Sequence, residues 1–259
     1  MTTNDPNEAI DWQGKPVSCE TCQERNMETV RCQTLRACVH DRYALRVDRF
    51  FRWNPHLADS FLQHPYFEVR ACAARYADLF HLPAMVEDED ETVRWAVAQR
   101  LPQRYLLRMI HDPHREVRIR IAMRLEERYL AAMVSDEDYS VRLHVARRLP
   151  IGLLPIMRSD PDVEVRRVVA QRIGLEGLFS MIHDTDAQVR LAVAERIPVS
   201  MLQSLATDPD WRIRHAVAAR ANIKNLQVFL QDEDELVRSC ARERLAQDDW
   251  NGDRHSGGG

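Results

Sequence analysis

The chain has 259 residues, of which 45% are apolar and 29% are charged, a composition typical of soluble globular proteins. No apolar stretch reaches the roughly 18 residues that a membrane helix needs, and the polar residues 1–15 contain no signal peptide. We therefore expect a cytoplasmic protein that does not enter a membrane. The net charge of −4 argues against a globally basic nucleic-acid-binding protein. Only Lys15 and Lys224 among the 36 basic residues are lysines, which favours forked arginine hydrogen bonds over loose surface charge.

Four of the six cysteines lie near the N-terminus, where Cys19, Cys22, Cys32 and Cys38 form a C-x2-C-x9-C-x5-C pattern. In a cytosolic protein, such a group is more typical of a metal site than of disulfide bonds. Four thiolates bind either structural zinc or an iron–sulfur cluster. Because we expect residues 33–47 to be helical, the last pair differs from the CxxC knuckles of zinc ribbons. The spacing therefore favours a [4Fe–4S] cluster, with structural zinc and ordinary thiols as the alternatives.

Two further sets of residues in this segment suit a metal centre that is shielded from water and negatively charged. The side chains that can shield it are Trp12, Val17, Met27, Val30, Val39 and Tyr43. The arginines that can offset its charge are Arg25, Arg31, Arg36 and Arg42. Shielding and nearby charge both tune the reduction potential of such a centre.

Residues 49–63 connect the cysteine segment to the rest of the chain. Aromatic residues give this segment an apolar surface, and Asn54-Pro55 is expected to end a helix. Phe61 and Leu62 lie 24 residues before Met85 and Val86, so the segment matches the second half of a repeat whose first half is replaced. A solenoid needs its first core face covered. We predict that residues 1–63 form a metal domain that also provides this cover.

The rest of the chain is built on a residue pair that recurs every 24 residues. The pair is Val-Arg in seven repeats and Ile-Arg in one, and it begins at Val69, Val93, Val117, Val141, Val165, Val189, Ile213 and Val237. In most repeats an Asp lies five residues before the Val, an Ala five after, an Arg seven after and a Leu thirteen after. A fixed period of this size is typical of a solenoid, so we predict eight repeats over residues 64–247.

Each repeat is predicted to contain one α-helix and one shorter helical segment. The Asp five residues before the Val is interpreted as the helix N-cap, at Asp88, Asp112, Asp136, Asp160, Asp184, Asp208 and Asp232. The helix then runs for about twelve residues and ends at a Pro or Gly. The second segment has about eight residues and in one repeat contains Gly152 and Pro155, which favours a 3₁₀-helix over a regular α-helix.

The two remaining cysteines fall inside the repeats. Cys72 and Cys240 both lie three residues after the Val, a position that holds alanine in other repeats. Free cysteine packs as a small apolar side chain. We therefore interpret both as packing residues and exclude them from the metal site.

The repeated Asp and Arg residues allow two interpretations. In the first, they hold the solenoid together, because acidic groups at helix N-termini and basic groups at C-termini offset the helix dipoles. In the second, the arginines line a basic groove for an acidic partner or a phosphate backbone. The repeated acidic residues and the negative net charge favour the first interpretation.

The 24-residue D-x4-V-R-x3-A-x-R pattern and the preceding cysteine quartet resemble the bacterial leucine-rich repeat variant family. The resemblance covers nearly the whole chain. It implies an all-α, right-handed solenoid (a superhelix) of alternating α- and 3₁₀-helices, capped by the small cysteine domain. It also implies a [4Fe–4S] cluster in the N-terminal domain, with Cys19, Cys22, Cys32 and Cys38 as ligands. It implies no established activity.

No enzyme site is recognisable in the sequence. The ten histidines form no metal-binding or triad motif, and no glycine-rich phosphate loop is present. We therefore expect a protein without catalytic activity. Residues 248–259 are polar and rich in glycine, and we expect them to form a disordered tail.

Two functions are consistent with the sequence. The first is an interaction protein whose solenoid binds a macromolecule, a protein rather than a nucleic acid, with a structural or redox-sensing cluster. The second is an electron-transfer protein that docks a redox partner through the solenoid. In both cases we expect a monomer.

Overall fold

A computed structural model of the protein describes residues 8–256, with the side chains of residues 8–247. The chain divides into two units, Met1–Ala132 and Met133–Gly259. In the described part of the chain the regular structure is helical, and extended residues pair only at two isolated bridges, Ile10 with Pro16 and Gln33 with Ala37. The predicted all-α class is confirmed.

The first unit contains the cysteine segment and the first repeats. Its helices, with η marking 3₁₀-helices, are η1 (Glu24–Asn26), α1 (Ala44–Trp53), η2 (Pro55–Phe61), α2 (Phe67–Ala74), η3 (Leu82–Met85), α3 (Glu91–Ala98), α4 (Gln103–Leu106) and α5 (Arg115–Arg124). Helix η4 (Glu127–Met133) begins in this unit and ends at the first residue of the second. Helix α1 packs beside α2, α2 beside α3, and α3 beside α5. The long helices therefore stack in chain order, as a solenoid requires.

The second unit contains the later repeats. Its helices are α6 (Tyr139–Arg148), η5 (Ile151–Met157), α7 (Val163–Arg172), α8 (Leu175–Phe179), α9 (Ala187–Ala194), η6 (Val199–Leu205), α10 (Trp211–Arg220), η7 (Ile223–Gln231) and α11 (Glu235–Ser256). Here α6 packs beside α7, α7 beside α9, α9 beside α10, and α10 beside α11. Each α-helix again contacts the α-helix of the next repeat.

Rows of equivalent apolar residues form the core, among them the Val, Ala and Leu of the repeat pattern. The Val or Ile of each pair is fully buried, as is the Ala five residues later in the seven repeats that have it. The Leu thirteen residues after the Val is at most 1% exposed from Leu82 to Leu226. Burial of such a side chain contributes about 1.5–3 kcal/mol relative to exposure. These rows explain why the sequence keeps its 24-residue spacing.

The prediction of the N-cap residue is wrong. In five repeats the N-cap is the Asp three residues before the Val or Ile, at Asp90, Asp138, Asp162, Asp186 and Asp210. The Asp162 carboxylate, for example, accepts from the backbone N–H of Glu164 at 2.9 Å. The Asp two residues earlier, Asp160, instead accepts from the backbone N–H of Asp162 at 2.9 Å and closes the preceding turn.

The second segment of each repeat is mostly the predicted 3₁₀-helix, with two exceptions. Helices α4 and α8 are short α-helices. In α8, for example, the backbone N–H of Leu178 donates to the carbonyl of Gly174 at 3.0 Å. In α8 the chain passes so close to Ile173 that a Cβ at Gly177 would lie 2.4 Å from the Ile173 Cδ1 atom. A side chain at Gly177 would therefore collide with Ile173 in this turn.

The Arg of each Val-Arg pair joins consecutive repeats. Arg142 donates from Nε to Asp160 Oδ2 at 2.8 Å and from Nη2 to Asp160 Oδ1 at 2.9 Å. Its third nitrogen, Nη1, donates to the backbone carbonyl of Asp136 at 2.8 Å. The same carboxylate pairing occurs at Arg70–Asp88, Arg94–Asp112, Arg166–Asp184, Arg190–Asp208 and Arg214–Asp232. We call this row the N-side ladder.

The Arg seven residues after the Val makes a second row, which we call the C-side ladder. Arg196 donates to the carbonyls of Ala170 at 2.6 Å and Ile173 at 2.8 Å, at the end of the preceding repeat's α-helix. Equivalent bonds are made by Arg100, Arg124, Arg172, Arg220 and Arg244. These carbonyls have no partner within their own helix, so the arginines cap the helix C-termini.

The cysteine segment covers the first repeat, as predicted. Phe50 and Phe51 of α1 are buried, and Trp12 stacks on Tyr66 with ring centroids 5.9 Å apart. His64 lies five residues before Val69, at the position that holds an Asp in the later repeats. Its Nδ1 accepts from the backbone N–H of Tyr66 at 3.0 Å. The imidazole thus replaces the carboxylate that closes this turn in later repeats.

Two further predictions concern the chain as a whole. None of the helices in the described residues is long and apolar enough to cross a membrane. Helix α11 continues through Ser256, which differs from the disordered tail predicted from residue 248 onward. No proline interrupts residues 235–256, so the helix can extend past the last repeat. Residues 257–259 of the predicted tail lie outside the described residues.

Candidate metal centre

A short hairpin turn positions two of the four N-terminal cysteines. Gln33 and Ala37 exchange two backbone hydrogen bonds, of 2.9 and 2.8 Å, and Leu35 between them has a φ of 63°. In antiparallel pairing, the residues just outside such a bonded pair lie opposite each other. Those residues are Cys32 and Cys38, so a C-x5-C spacing brings two thiols together without a helix.

The predicted helix over residues 33–47 is therefore wrong for its first part. Helix α1 begins at Ala44, and residues 33–43 form turns. The backbone bonds of the hairpin use the donors and acceptors that a helix would need. Cys19 and Cys22 are not part of this hairpin and lie in the loop that leads into η1.

The four cysteines meet at one enclosed cavity. Its lining includes Cys19, Cys22, Cys32 and Cys38, together with Val17, Ala37, Val39 and Phe50. The two repeat cysteines lie elsewhere, because Cys72 in α2 donates to the carbonyl of Ala44 at 3.6 Å and Cys240 belongs to α11. The packing interpretation of Cys72 agrees with its burial at 2% exposure. A cavity lined by four thiols and closed by apolar side chains has the donor set of a tetrathiolate metal centre.

The protonation of these thiols depends on their surroundings. A hydrogen bond with Thr34, whose hydroxyl lies 3.2 Å from the sulfur, lowers the pKa of Cys19. Burial raises the pKa of Cys22, and it raises the pKa of Cys38 to about 11. Buried thiolates are stable beside a positive centre, and a coordinated thiol is deprotonated by its metal. The cavity therefore fits a group that brings its own positive charge.

Two residues beside Cys22 could not be recognised from the sequence as part of the site. The His40 Nε2 and Glu24 Oε2 atoms lie 2.7 Å apart, and the Cys22 thiol donates to the same Glu24 oxygen at 3.4 Å. Burial acts to raise the pKa of Glu24, but hydrogen bonds from His40 and Cys22 hold it below its usual value. Ligand atoms of Cys22, Glu24 and His40 lie within 4.8 Å of one another. Both residues line the same cavity, and Glu24 bridges the Cys22 thiol and the His40 imidazole.

Asn54 is a third residue whose role the sequence does not reveal. Its side chain is fully buried, and it exchanges hydrogen bonds of 2.8 and 2.7 Å with the backbone N–H and carbonyl of Arg31. It also donates to the carbonyl of Phe50 at 2.8 Å. Asn54 thus fixes the chain just before Cys32 to the end of α1. In the sequence, the Asn-Pro pair indicates only the helix end.

The predicted shielding and charged residues are distributed around the cavity. Val17, Val39 and Arg25 line it directly, and Val30 and Arg31 line an open cleft next to it. Met27 is 50% exposed and does not shield the cavity. The Arg42 guanidinium lies 5.3 Å from the ring centroid of Tyr43.

These features define a helical repeat protein with a cysteine-lined cavity in its N-terminal segment. A family model described as "LRV protein FeS4 cluster" matches residues 9–60, and one described as "Leucine rich repeat variant" matches residues 187–210. A solved structure described as "A leucine-rich repeat variant with a novel repetitive protein structural motif" is 40% identical, with a TM-score of 0.84. It covers 88% of this chain and is itself covered over 99% of its length.

The chain belongs to the leucine-rich repeat variant family, and the predicted solenoid of helical repeats is confirmed. Its N-terminal segment is of the family's iron–sulfur type. A curated relative from Rhodobacter capsulatus, named "Uncharacterized 27.7 kDa protein in nifB 3'region", is 46% identical over 96 residues. That match spans 37% of this chain and 39% of the relative's length.

Proposed function

We propose that Cys19, Cys22, Cys32 and Cys38 together hold one [4Fe–4S] cluster. The observation that carries the proposal is that all four line a single enclosed cavity. Thiolates from separate loops suit a cubane, whose four irons each take one protein ligand. When bound, such a cluster can accept and release one electron. Structural zinc is the competing occupant, because it accepts the same four ligands.

The metal content distinguishes the two occupants. Protein purified without oxygen should contain about four iron and four sulfide per chain. One tightly bound zinc per chain and no sulfide would overturn the assignment. Cys32→Ala should abolish iron binding, whereas the matched control Cys72→Ala should leave it unchanged. Loss of iron in both variants would indicate that the fold, and not a ligand, had been lost.

We also propose that the repeats serve as a scaffold for a macromolecular partner, and that this partner is a protein. The arginines of both ladders are engaged in internal hydrogen bonds, so they are not available to hold phosphates. This argues against a groove of ladder arginines that binds a phosphate backbone and favours a protein partner. In this role the cluster is structural or redox-sensing. An anaerobic pull-down with cluster-loaded protein tests the proposal, and capture that disappears after nuclease treatment would contradict it.

Electron transfer is the second candidate function, and one observation favours it. Cys32 lines both the enclosed cavity and the open cleft beside it, so one ligand position lies close to solvent. A reversible one-electron reduction of the folded, loaded protein would support this function. A cluster that cannot be reduced without unfolding would leave the structural role.

A further inference from the structure

Two arginines and a tryptophan line the cleft next to the cysteine cavity, and two further arginines lie beside that tryptophan. Arg25, Arg31 and Trp53 line this cleft together with Cys32. The Arg36 guanidinium lies 5.8 Å from the centre of the Trp53 ring, and Arg49 Nη1 donates to the Arg36 carbonyl at 3.0 Å. We call Arg25, Arg31, Arg36, Arg49 and Trp53 the arginine face.

The guanidinium groups of this face have no carboxylate partners among the described residues. In the described part of the chain, none of its four guanidinium groups forms an ion pair with a carboxylate. Other arginines of the same segment behave differently: Arg46 pairs with Asp41 at 2.8 Å and Arg52 with Asp48 at 3.0 Å. Like charges that cluster without counter-ions repel one another, and such patches are typical of surfaces that meet an oppositely charged partner.

The face also borders the cavity. Arg25, Cys32 and Gln33 line both the enclosed cavity and the open cleft, so these residues form the wall between them. A molecule seated on the arginine face would therefore approach the cavity at Cys32. The position matters for electron transfer, because the donor and acceptor must come close together for the electron to pass.

We infer that the arginine face docks an acidic one-electron carrier protein, which exchanges one electron with the centre held by the four cysteines. The inference rests on the electron-transfer function proposed above. In each exchange one partner loses an electron and the other gains it, and no covalent bond forms or breaks. The acidic surface of the carrier supplies the carboxylate partners that the four arginines lack within the described residues.

A protein fits this face better than a nucleic acid does. Four arginines around one cleft match the small, charge-steered interfaces of redox proteins, which bury less than about 1,200 Å². Nucleic-acid binding draws its affinity mainly from phosphates contacted along the backbone, and a protein with a steep salt dependence makes about 6–10 such contacts. The net charge of −4 on the whole chain opposes a long polyanion beyond the face.

A second explanation is that the arginines only offset the charge of an anionic cluster. In that case their removal would change the reduction potential and not the rate of association with a protein. Arg31 and Arg36 are exposed, and Arg49 is half-buried. Arg25 is left out of the substitutions, because its side chain hydrogen-bonds Cys19.

The test uses an acidic plant-type [2Fe–2S] ferredoxin as the probe. Cluster-loaded protein and ferredoxin are mixed anaerobically in a stopped-flow instrument, in whichever direction their potentials allow, and the absorbance of both centres is followed. The test variant combines Arg31→Gln, Arg36→Gln and Arg49→Gln. A charge-retaining variant carries Lys at the same three positions. The matched control combines Arg104→Gln, Arg128→Gln and Arg158→Gln, which removes the same charge from exposed positions of the repeats.

We expect the second-order rate to fall at least about tenfold in the Gln variant, with a flattened dependence on ionic strength. The Lys variant and the repeat control should keep most of the rate. A basic c-type cytochrome, used in place of ferredoxin, should react no more slowly with the Gln variant than with wild type. Iron content and reduction by dithionite should be the same in all proteins.

Four outcomes would overturn the inference. Equal rates for the Gln variant and the repeat control would remove the arginine face as a docking site, while the electron-transfer function would stand. A shifted potential with an unchanged rate would leave charge offset as its role. Salt-dependent binding of a fluorescent single-stranded DNA 20-mer that is lost in the Gln variant would identify a nucleic-acid site instead. A cluster that dithionite cannot reduce would overturn both the inference and the electron-transfer function.

Discussion

Arg142 and Asp160 lie 18 residues apart in the sequence and join two consecutive repeats through parallel hydrogen bonds of 2.8 and 2.9 Å. Both side chains are almost completely buried, at 10% and 4% exposure. Since Nη1 of Arg142 also holds the carbonyl of Asp136, one guanidinium fastens the turn of its own repeat and that of the next. This use of all three nitrogens explains why the chain repeats arginine rather than lysine.

The first prediction tests that geometry. Arg142→Lys should lower the free energy of unfolding by about 1–3 kcal/mol, because an ammonium group cannot make both parallel bonds and the carbonyl bond. Arg147→Lys is the matched control on the same helix, since Arg147 is exposed, and it should change stability by less than about 0.5 kcal/mol. Chemical denaturation of both variants gives the comparison. An Arg142→Lys protein as stable as wild type would show that charge alone is sufficient.

The second prediction separates two aspartates that are two residues apart. Asp162→Ala should cost about 0.5–2 kcal/mol, because the N-cap of α7 is lost. Asp160→Ala should cost about 3 kcal/mol, because the guanidinium of Arg142 is left buried without its carboxylate. Thermal and denaturant unfolding measure both. A larger loss for Asp162→Ala would mean that the Arg142–Asp160 pair contributes less to stability than the helix cap does.

The third prediction concerns acid. Hydrogen bonds from Arg214 hold the pKa of Asp232 below its usual value. A carboxyl with a lower pKa in the folded state contributes its full stability above the unfolded pKa of about 3.9, and the contribution is lost as pH falls through the folded pKa. The difference in Tm between wild type and Asp232→Asn should therefore be largest near neutral pH and shrink below about pH 3.

Circular dichroism melts over a pH series provide the measurement for Asp232. Glu127→Gln serves as the control, because Glu127 is exposed and should give no comparable pH dependence. A Tm difference that stays constant down to pH 2 would mean that the ionised carboxylate of Asp232 does not contribute to folding.

The repeat rows could be predicted from the sequence because one period governs every one of them. The Val, Ala and Leu positions that share this period are all buried in the core. The N-cap could not be chosen in the same way, since most repeats read D-x-D and either aspartate has the right chemistry. What decides the matter is the arginine 18 residues upstream, which binds the first aspartate and leaves the second to cap the helix. That pairing is between repeats, and periodicity within a repeat does not reveal it.

The sequence singled out the four cysteines of the candidate site, but it did not predict the backbone conformation that brings them together. The four cysteines of the spacing motif are the four that line the cavity. The hairpin between Cys32 and Cys38 was missed because its turn has Leu35 at a positive φ, where glycine or asparagine would have been the expected signal. Glu24 and His40 were missed because their 2.7 Å contact joins residues 16 positions apart.

The fourth prediction compares one core position across two helix types. Leu154 lies in the 3₁₀-helix η5 and Leu178 in the α-helix α8, and both are fully buried. Replacement of either by Ala should cost about 2–5 kcal/mol, as for other buried leucines. The two losses should be similar, because the cavity created is set by the repeat and not by the local helix. A loss below about 0.5 kcal/mol at both positions would show that the row does not form the core.

The last prediction concerns Asn54, which ties the segment before Cys32 to α1. Its amide holds the backbone N–H and carbonyl of Arg31 and the carbonyl of Phe50, and the side chain is fully buried. Asn54→Ala would leave these groups without partners, at about 1–3 kcal/mol for each buried polar group. Asn54→Asp should be nearly as harmful, because a carboxylate cannot donate to the two carbonyls.

If the four cysteines hold a metal centre, loss of this tie should loosen the chain at Cys32 and speed the release of iron. The measurement is the rate of iron transfer to an external chelator under anaerobic conditions, for wild type, Asn54→Ala and the exposed control Asn225→Ala. We expect faster release in Asn54→Ala alone. The melting temperature of the repeats, measured separately, should change little in the same variant. Equal release rates in all three proteins would mean that Asn54 supports the fold of α1 and plays no part in holding Cys32 in place.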